Sequence, residues 1–217
     1  MAGFATNSRL GRLNLLMLNR LFSACSLAAV LLLLLPVAAL RAQWVSDSTT
    51  NTAICTATNI QDYPAIVTDG ADGAIIVWED LRGDGAYIIY AQRIAANGRP
   101  MWASNGIRLT TGNYGGQRYP VAASDGKGGA YVVWQDYRNG NQGIDLYAQH
   151  LLSNGQYAYD SSGRPVAYAA GDQVAQQIVA DGFGNAYVVW EDNRSTVTTT
   201  NPDIYMNRLA PTRVAWD

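Results

Sequence analysis

Side chains that can move protons, attack a substrate or hold a metal are scarce in this sequence. It has one histidine (His150), one lysine (Lys127) and two glutamates (Glu79 and Glu191). A Ser–His–acid triad would have to use His150, and no nucleophile motif accompanies it. A glycosidase needs two carboxyl groups in different environments, roughly 5 to 9 Å apart. Glu79 and Glu191 stand at equivalent positions of different repeats with Gln135 between them, which does not naturally supply that pair. Asp80, Asp136 and Asp192 recur, each two residues before an arginine (Arg82, Arg138, Arg194). This spacing could form a ring of ligand-binding charges; an ion pair across the loop after a core strand is the reading preferred here. Trp78, Trp134 and Trp190 could stack on sugars, but at the end of an apolar strand they read as packing between sheets. The Asp-rich turns have no EF-hand pattern, so neither metal nor cofactor is expected. Arg82-Gly83-Asp84 spells an integrin-type tripeptide that the other repeats do not share.

The elements that carry these residues come from a repeat. Shifted by 56 residues, the chain matches itself at Gln61, Gln117 and Gln173, and at Asp69-Gly70, Asp125-Gly126 and Asp181-Gly182. It matches again at Val77-Trp78, Val133-Trp134 and Val189-Trp190. Tyr90, Tyr147 and Tyr205 follow slightly out of phase, as do Trp44, Trp102, Tyr159 and Trp216. Such a period signals a repeat architecture. Each unit reads as four short strands. The first covers Tyr63–Thr68 (later Tyr119–Ser124 and Ala175–Ala180) and ends at a Gly-rich turn suited to a hairpin. The second is Ala74–Trp78 (Ala130–Trp134, Ala186–Trp190), apolar throughout and therefore expected to be covered on both faces. The third holds Tyr87–Arg93, Asp145–His150 and Asp203–Arg208, and a weaker fourth centres on the Trp44/Trp102/Tyr159/Trp216 position. The expected fold is all-β, with three β-propeller-type four-stranded blades. A β-sandwich, which would alternate apolar and polar residues more cleanly, is the alternative.

The pattern Asp-Gly-x-Gly-Gly-Ala-x-Val-Val-Trp-x-Asp-x-Arg, followed by Asp-Ile-Tyr and Gln-Arg, resembles the repeats of secreted bacterial propeller proteins. Its Asp-x-Arg…Asp-x-Tyr portion is similar to the TolB-type repeat. The resemblance covers nearly all of residues 44–217 and implies a fold while saying little about function. Ile88 departs from it where later copies have Asp145 and Asp203, and Asn185 replaces the second glycine. Propellers typically have four to eight blades, so three imply an incomplete propeller. Either the chain is a fragment of a longer propeller protein, the reading preferred here, or two chains pair to make six blades.

Residues 1–42 are expected to lie outside this domain, which would span 43–217. Arg9, Arg12 and Arg20 precede an apolar stretch from Leu21 to Leu40, and small residues follow. This describes a signal peptide cleaved near Ala42-Gln43, with an uncleaved N-terminal anchor as the alternative; only the anchor would tie the chain to a membrane. Removing the segment takes away four arginines and no acids, leaving 11 basic against 17 acidic side chains. An acidic chain without a basic cluster lacks the footprint for nucleic acid. Cys25 leaves with the segment, so Cys55 is expected to be a small buried hydrophobe rather than half of an intermolecular bridge.

The expected function is therefore that of a secreted, cell-surface or periplasmic scaffold, non-catalytic, that binds an extracellular protein or glycan. The alternatives are a lectin completed by homo-oligomerisation and a propeller hydrolase or lyase. Loop variation between units points to the binding face. The ligand-binding candidates there are Asp84, Tyr137, Asn141, Gln142 and Asn193.

Overall fold

The structure, a computed structural model, describes residues 44, 48–83, 85–112, 114–194 and 201–214. The chain divides into two units, Met1–Arg41 and Ala42–Asp217, and the described residues belong to the second. The expected signal segment and Trp216 therefore lie outside the described residues, as does Asp84. The protein is all-β. Blade 1 comprises β1 (Gln61–Thr68), β2 (Ala74–Asp80), β3 (Ile88–Ile94) and β4 (Ile107–Arg108). Blade 2 comprises β5 (Gln117–Ser124), β6 (Ala130–Asp136), β7 (Asp145–Leu151) and β8 (Arg164–Ala167). Blade 3 comprises β9 (Gln173–Ala180), β10 (Ala186–Asp192), β11 (Asp203–Ala210) and β12 (Arg213–Val214). In each blade the four strands pair antiparallel in chain order.

The blades stack because successive side chains of a strand point to opposite faces. Ala130, Val132 and Trp134 of β6 pack with Ile75, Val77, Ile89 and Ala91 of blade 1. Tyr131 and Val133, on the other face of β6, pack with Ala186, Val188 and Trp190 of blade 3. Every residue of β6 is buried, as its unbroken apolar run requires. Strand β10 differs: its buried and accessible residues alternate. The same type of sequence is covered on two faces in the middle of the stack and on one face at this end.

A polar unit recurs where each second strand ends. Asp80 Oδ2 accepts the Trp78 indole N–H at 2.8 Å, and Asp80 Oδ1 accepts Arg82 N–H and Nε–H at 2.9 and 2.8 Å. Asp136 binds Trp134 and Arg138 in the same way, and Asp192 binds Trp190 and Arg194. Each guanidinium lies over a tyrosine of the third strand, 3.9 Å from the Tyr90 centroid, 3.6 Å from Tyr147 and 4.1 Å from Tyr205. Arg82 Nη2 also reaches the Asn105 carbonyl, and Arg138 Nη2 the Ser162 carbonyl, fixing the loop that leads to the next blade. Burial pushes the Asp80 and Asp192 carboxyls upward. The hydrogen bonds from arginine and tryptophan outweigh it and hold both below their ordinary value. Cys55 is half-buried beside this unit, with Arg82 Nη2 donating to its sulfur at 3.2 Å.

The hairpins between first and second strands are closed by Asp69, Asp125 and Asp181. Each Oδ1 accepts two backbone N–H groups of its own turn. A Cβ at Gly73 would stand 2.3 Å from the Ile94 carbonyl oxygen, and one at Gly129 2.1 Å from that of Leu151. Asn185 occupies this place in blade 3, where its own Nδ2 donates to Asp181 at 2.6 Å. The fourth strands run at Ile107–Arg108, Arg164–Ala167 and Arg213–Val214, not over the recurring aromatic. Each described aromatic is instead a hook onto the following blade. Trp44 donates to the Ala96 carbonyl, Trp102 to that of Ser153 and Tyr159 to that of Ala210.

Two expectations follow. Asp136→Ala leaves Arg138 and the buried Trp134 N–H without their shared acceptor and should cost about 3–5 kcal/mol. Asp160→Ala removes an exposed pair with Arg164 and should cost about 0–1 kcal/mol; equal losses in urea unfolding would contradict this ranking. The second concerns pH. Asp69, Asp80, Asp125, Asp181 and Asp192 are all held below 3.8 in the fold. A carboxylate lowered by folding stabilises fully above its unfolded value and loses that contribution as pH falls through its folded value. Asp145, raised by burial, opposes them. The Tm should therefore fall as pH drops below about 4, and calorimetry showing no fall would overturn the dominance of the lowered group.

Candidate functional site

The first strands β1, β5 and β9 lie side by side, with β5 between the other two. Each breaks register with its neighbour at the same place: between Asp62 and Ala65, between Arg118 and Val121, and opposite the step from Val189 to Glu191. At the break stand Tyr63, Tyr119 and Ala175, with φ of 49°, 54° and 55°. No glycine is present at these left-handed positions, which are strained for residues with a Cβ. Pro64 and Pro120 follow the two tyrosines, but Gln176 follows Ala175, so the conformation does not depend on proline. Bulges of this kind re-aim side chains and cluster near binding sites.

The bulges frame an open cavity of about 410 Å³, lined by residues such as Tyr63, Tyr119, Gln135, Gln176 and Gln177. Both tyrosines are exposed, and their rings meet edge to face with centroids 4.9 Å apart. Beneath them Arg118 Nε donates to Glu79 Oε2 at 2.5 Å, and the Tyr119 N–H donates to Glu79 Oε1 at 2.6 Å. Glu79 is fully buried, and this pair ties blade 1 to blade 2. The Arg118 guanidinium lies 4.2 Å from the Tyr87 ring centroid and 5.1 Å from that of Tyr119. One junction further on, Gln135 donates to Gln176 at 3.2 Å, and Gln176 donates to the Tyr119 carbonyl at 2.5 Å.

The Tyr137 hydroxyl donates to Gln135 Oε1 at 3.4 Å. Burial, then the nearby Tyr119, raises the Tyr137 phenol above its ordinary value; the Tyr119 phenol raises Tyr63. Both therefore remain O–H donors at neutral pH. The cavity wall offers two aromatic rings and three side-chain amides; those of Gln135 and Gln176 are buried and bonded to one another, and that of Gln177 is exposed.

Asp84 lies outside the described residues; of the other four loop candidates, Gln142 and Asn193 are linked through Gly171, which stands against both Gly143 and Asn193. Tyr137 touches the cavity wall through Gln135. Gln142 lines a separate surface cavity of about 350 Å³ with Asn139 and Tyr168, and Asn141 precedes it in the 3-10 turn Gly140–Gln142. Asn193 donates its N–H to the Asp172 carbonyl at 3.0 Å and packs against Gly171. Sequence reasoning missed Tyr63, Tyr119, Arg118, Gln176 and Gln177. A usable signal lay in repeat positions that change between units: Asp62/Arg118/Val174, Tyr63/Tyr119/Ala175 and Pro64/Pro120/Gln176. His150 is buried with Nδ1 2.9 Å from the Pro211 carbonyl and Nε2 3.0 Å from Asp125, so neither nitrogen faces a nucleophile. Among the described residues, no three His, Cys, Asp or Glu side chains converge as a metal site requires.

No protein-family model matches the chain, and no curated protein does. The resemblance to TolB-type repeats thus rests on residues alone. Among solved structures, the chain is similar to an endo-arabinase from Bacteroides thetaiotaomicron at 13% identity and a TM-score of 0.43. The match covers 72% of this chain and 58% of that one, so the chain spans less than two thirds of the arabinase's length. This finding corrects the expectation that the chain is non-catalytic. The similar structure is an enzyme; at this identity and TM-score the likeness assigns no activity to this chain.

The Glu79–Arg118 pair generates a prediction. Arg118→Ala would leave a buried carboxylate without its cation and should cost about 2–4 kcal/mol, the lower part of the range because Arg118 is partly solvated. Asp62→Ala, the exposed equivalent in blade 1, should cost under about 0.5 kcal/mol. Similar urea midpoints for the two variants would contradict the role of the pair.

Proposed function

We propose that the cavity framed by β1, β5 and β9 recognises a neutral glycan outside the cell. The observation that carries this reading is the exposed Tyr63–Tyr119 pair, held on strained backbone beside the exposed side-chain amide of Gln177, with the bonded Gln135–Gln176 pair in the wall. Aromatic faces take up the C–H faces of a sugar ring, and amides exchange hydrogen bonds with its hydroxyls. Glu79 and Arg118 neutralise one another, which leaves no net charge from this pair to attract an ionic ligand. An extracellular setting is supported by the arginines and apolar run of residues 1–42.

The test is titration of the purified chain with neutral oligosaccharides, followed by calorimetry or tyrosine fluorescence. Binding should weaken by about tenfold in Tyr119→Ala, which corresponds to about 1.4 kcal/mol, and more in the Tyr63→Ala/Tyr119→Ala double variant. Gln142→Ala, in the separate cavity, should leave affinity unchanged. Saturable binding that survives the double variant would place the glycan elsewhere. Assaying the same mixtures for new reducing ends distinguishes recognition from cleavage.

A further inference from the structure

Arg118 carries donors that the fold leaves unused. A guanidinium has five N–H groups, and Glu79 Oε2 takes the one on Nε, at 2.5 Å. Neither terminal nitrogen makes a hydrogen bond among the described residues, and neither is sealed off from water. The side chain is 28% exposed. Its guanidinium carbon lies 4.2 Å from the Tyr87 ring centroid, 5.1 Å from that of Tyr119 and 5.7 Å from that of Tyr63. An arginine stacked on a ring uses its flat face, which leaves its N–H edges free in the guanidinium plane. The Tyr87 carbonyl accepts the Gln117 N–H at 2.8 Å, so the ring under the guanidinium is tied to the strand that supplies Arg118.

We propose that Arg118 determines which sugar the cavity accepts, by presenting its Nη1/Nη2 edge to two hydroxyls on neighbouring ring carbons. This rests on the reading of the cavity as a site for a neutral glycan. Tyr63 and Tyr119 line the cavity and flank the guanidinium, so a sugar face laid on either ring has its hydroxyl edge beside these donors. Two parallel N–H groups in a rigid fork match a pair of oxygens at fixed separation, and neighbouring gauche hydroxyls supply such a pair. A carboxylate would also fit the fork. It would set a second negative charge beside Glu79 with one arginine between them, whereas hydroxyl oxygens add no charge to a pair that is already balanced. A sugar lacking one hydroxyl of the pair leaves an N–H without its acceptor, which is how a polar site rejects a near-identical ligand.

The fork is confined to the junction between blades 1 and 2, because the position of Arg118 holds Asp62 in blade 1 and Val174 in blade 3. Glu79 fixes both of its neighbours. Oε1 accepts the N–H of Tyr119, whose backbone has a φ of 54°, while Oε2 holds Arg118. The ring and the fork therefore keep one relative position before a ligand arrives, which lowers the ordering cost of binding.

The test is calorimetric titration of the full chain with cellotriose, xylotriose, maltotriose and mannotriose, then with the 2-deoxy and 3-deoxy forms of those that bind. Removing one hydroxyl of the recognised pair should weaken binding to the wild-type chain at least about tenfold. Arg118→Lys keeps a cation for Glu79 but has no fork. It should bind the parent sugar about tenfold more weakly and no longer distinguish it from the deoxy form, a change of preference that a merely structural role would not produce. Should circular dichroism show that Arg118→Lys does not fold, Glu79→Gln/Arg118→Met removes both charges and keeps an acceptor for the Tyr119 N–H. A folded variant with wild-type affinity and preference overturns the role of Arg118; loss of binding in Tyr63→Ala/Tyr119→Ala would then leave the glycan reading of the cavity standing. If none of the trisaccharides binds the wild-type chain, that reading fails and the assignment of Arg118 falls with it.

Discussion

The second strand of each sheet carries apolar side chains on both of its faces, and a single sheet can shield only what its neighbours cover. Fully burying a valine or leucine side chain is worth about 1.5–3 kcal/mol, so β6 is stable only with a sheet on either side. That requirement stacks the blades and brings β1, β5 and β9 together. Trp78, Trp134 and Trp190 belong to the second strands β2, β6 and β10, and all three are buried.

Stacking buries carboxylates as well, and their pairing organises the rest. Asp80, Asp136 and Asp192 have fully buried side chains, and each shares its oxygens between an indole and an arginine. A buried carboxylate is tolerated when such partners surround it. The arginine continues to the loop carbonyl and the tyrosine ring, so one local charge pair also positions the exit from the second strand. Glu79 solves the same problem differently, by taking its cation from the next blade. Among the described residues it is this ion pair that crosses a blade junction, and the same glutamate accepts the N–H of Tyr119, which lines the cavity.

Function, on this view, lies in the departures from the repeat. The bulge with positive φ occurs in all three first strands, although its residue is tyrosine twice and alanine once. The backbone geometry therefore belongs to the shared architecture, while the side chains placed on it belong to each unit. Tyrosine at two bulges and glutamine beside the third give a cavity with an aromatic side and an amide side. The second cavity lies between Asn139 and Gln142 of the β6–β7 connection and Tyr168–Ala170, which follow β8.

Much of the fold was legible in the sequence. The 56-residue spacing, the Gly-rich turns and the apolar second strands specify four-stranded units, because each feature is local or recurs at a fixed period. The fourth strands were misplaced: Trp102 and Tyr159 were read as strand centres, whereas each reaches over to hydrogen-bond a carbonyl of the following blade, a contact no local pattern records. The candidate site was less legible still. Loop length points to Asn141, Gln142 and Asn193, which lie around the turn at Gly171 and do not line the cavity of the first strands, whereas Tyr137 reaches that cavity through a wall residue. Sequence alone determined the number and kind of repeating units, since hydrophobic periodicity and turn chemistry act between near neighbours. The tertiary structure decided which unlike residues of successive units meet, because the distances from Glu79 to Arg118 and from Tyr63 to Tyr119 depend on the packing of one blade against another.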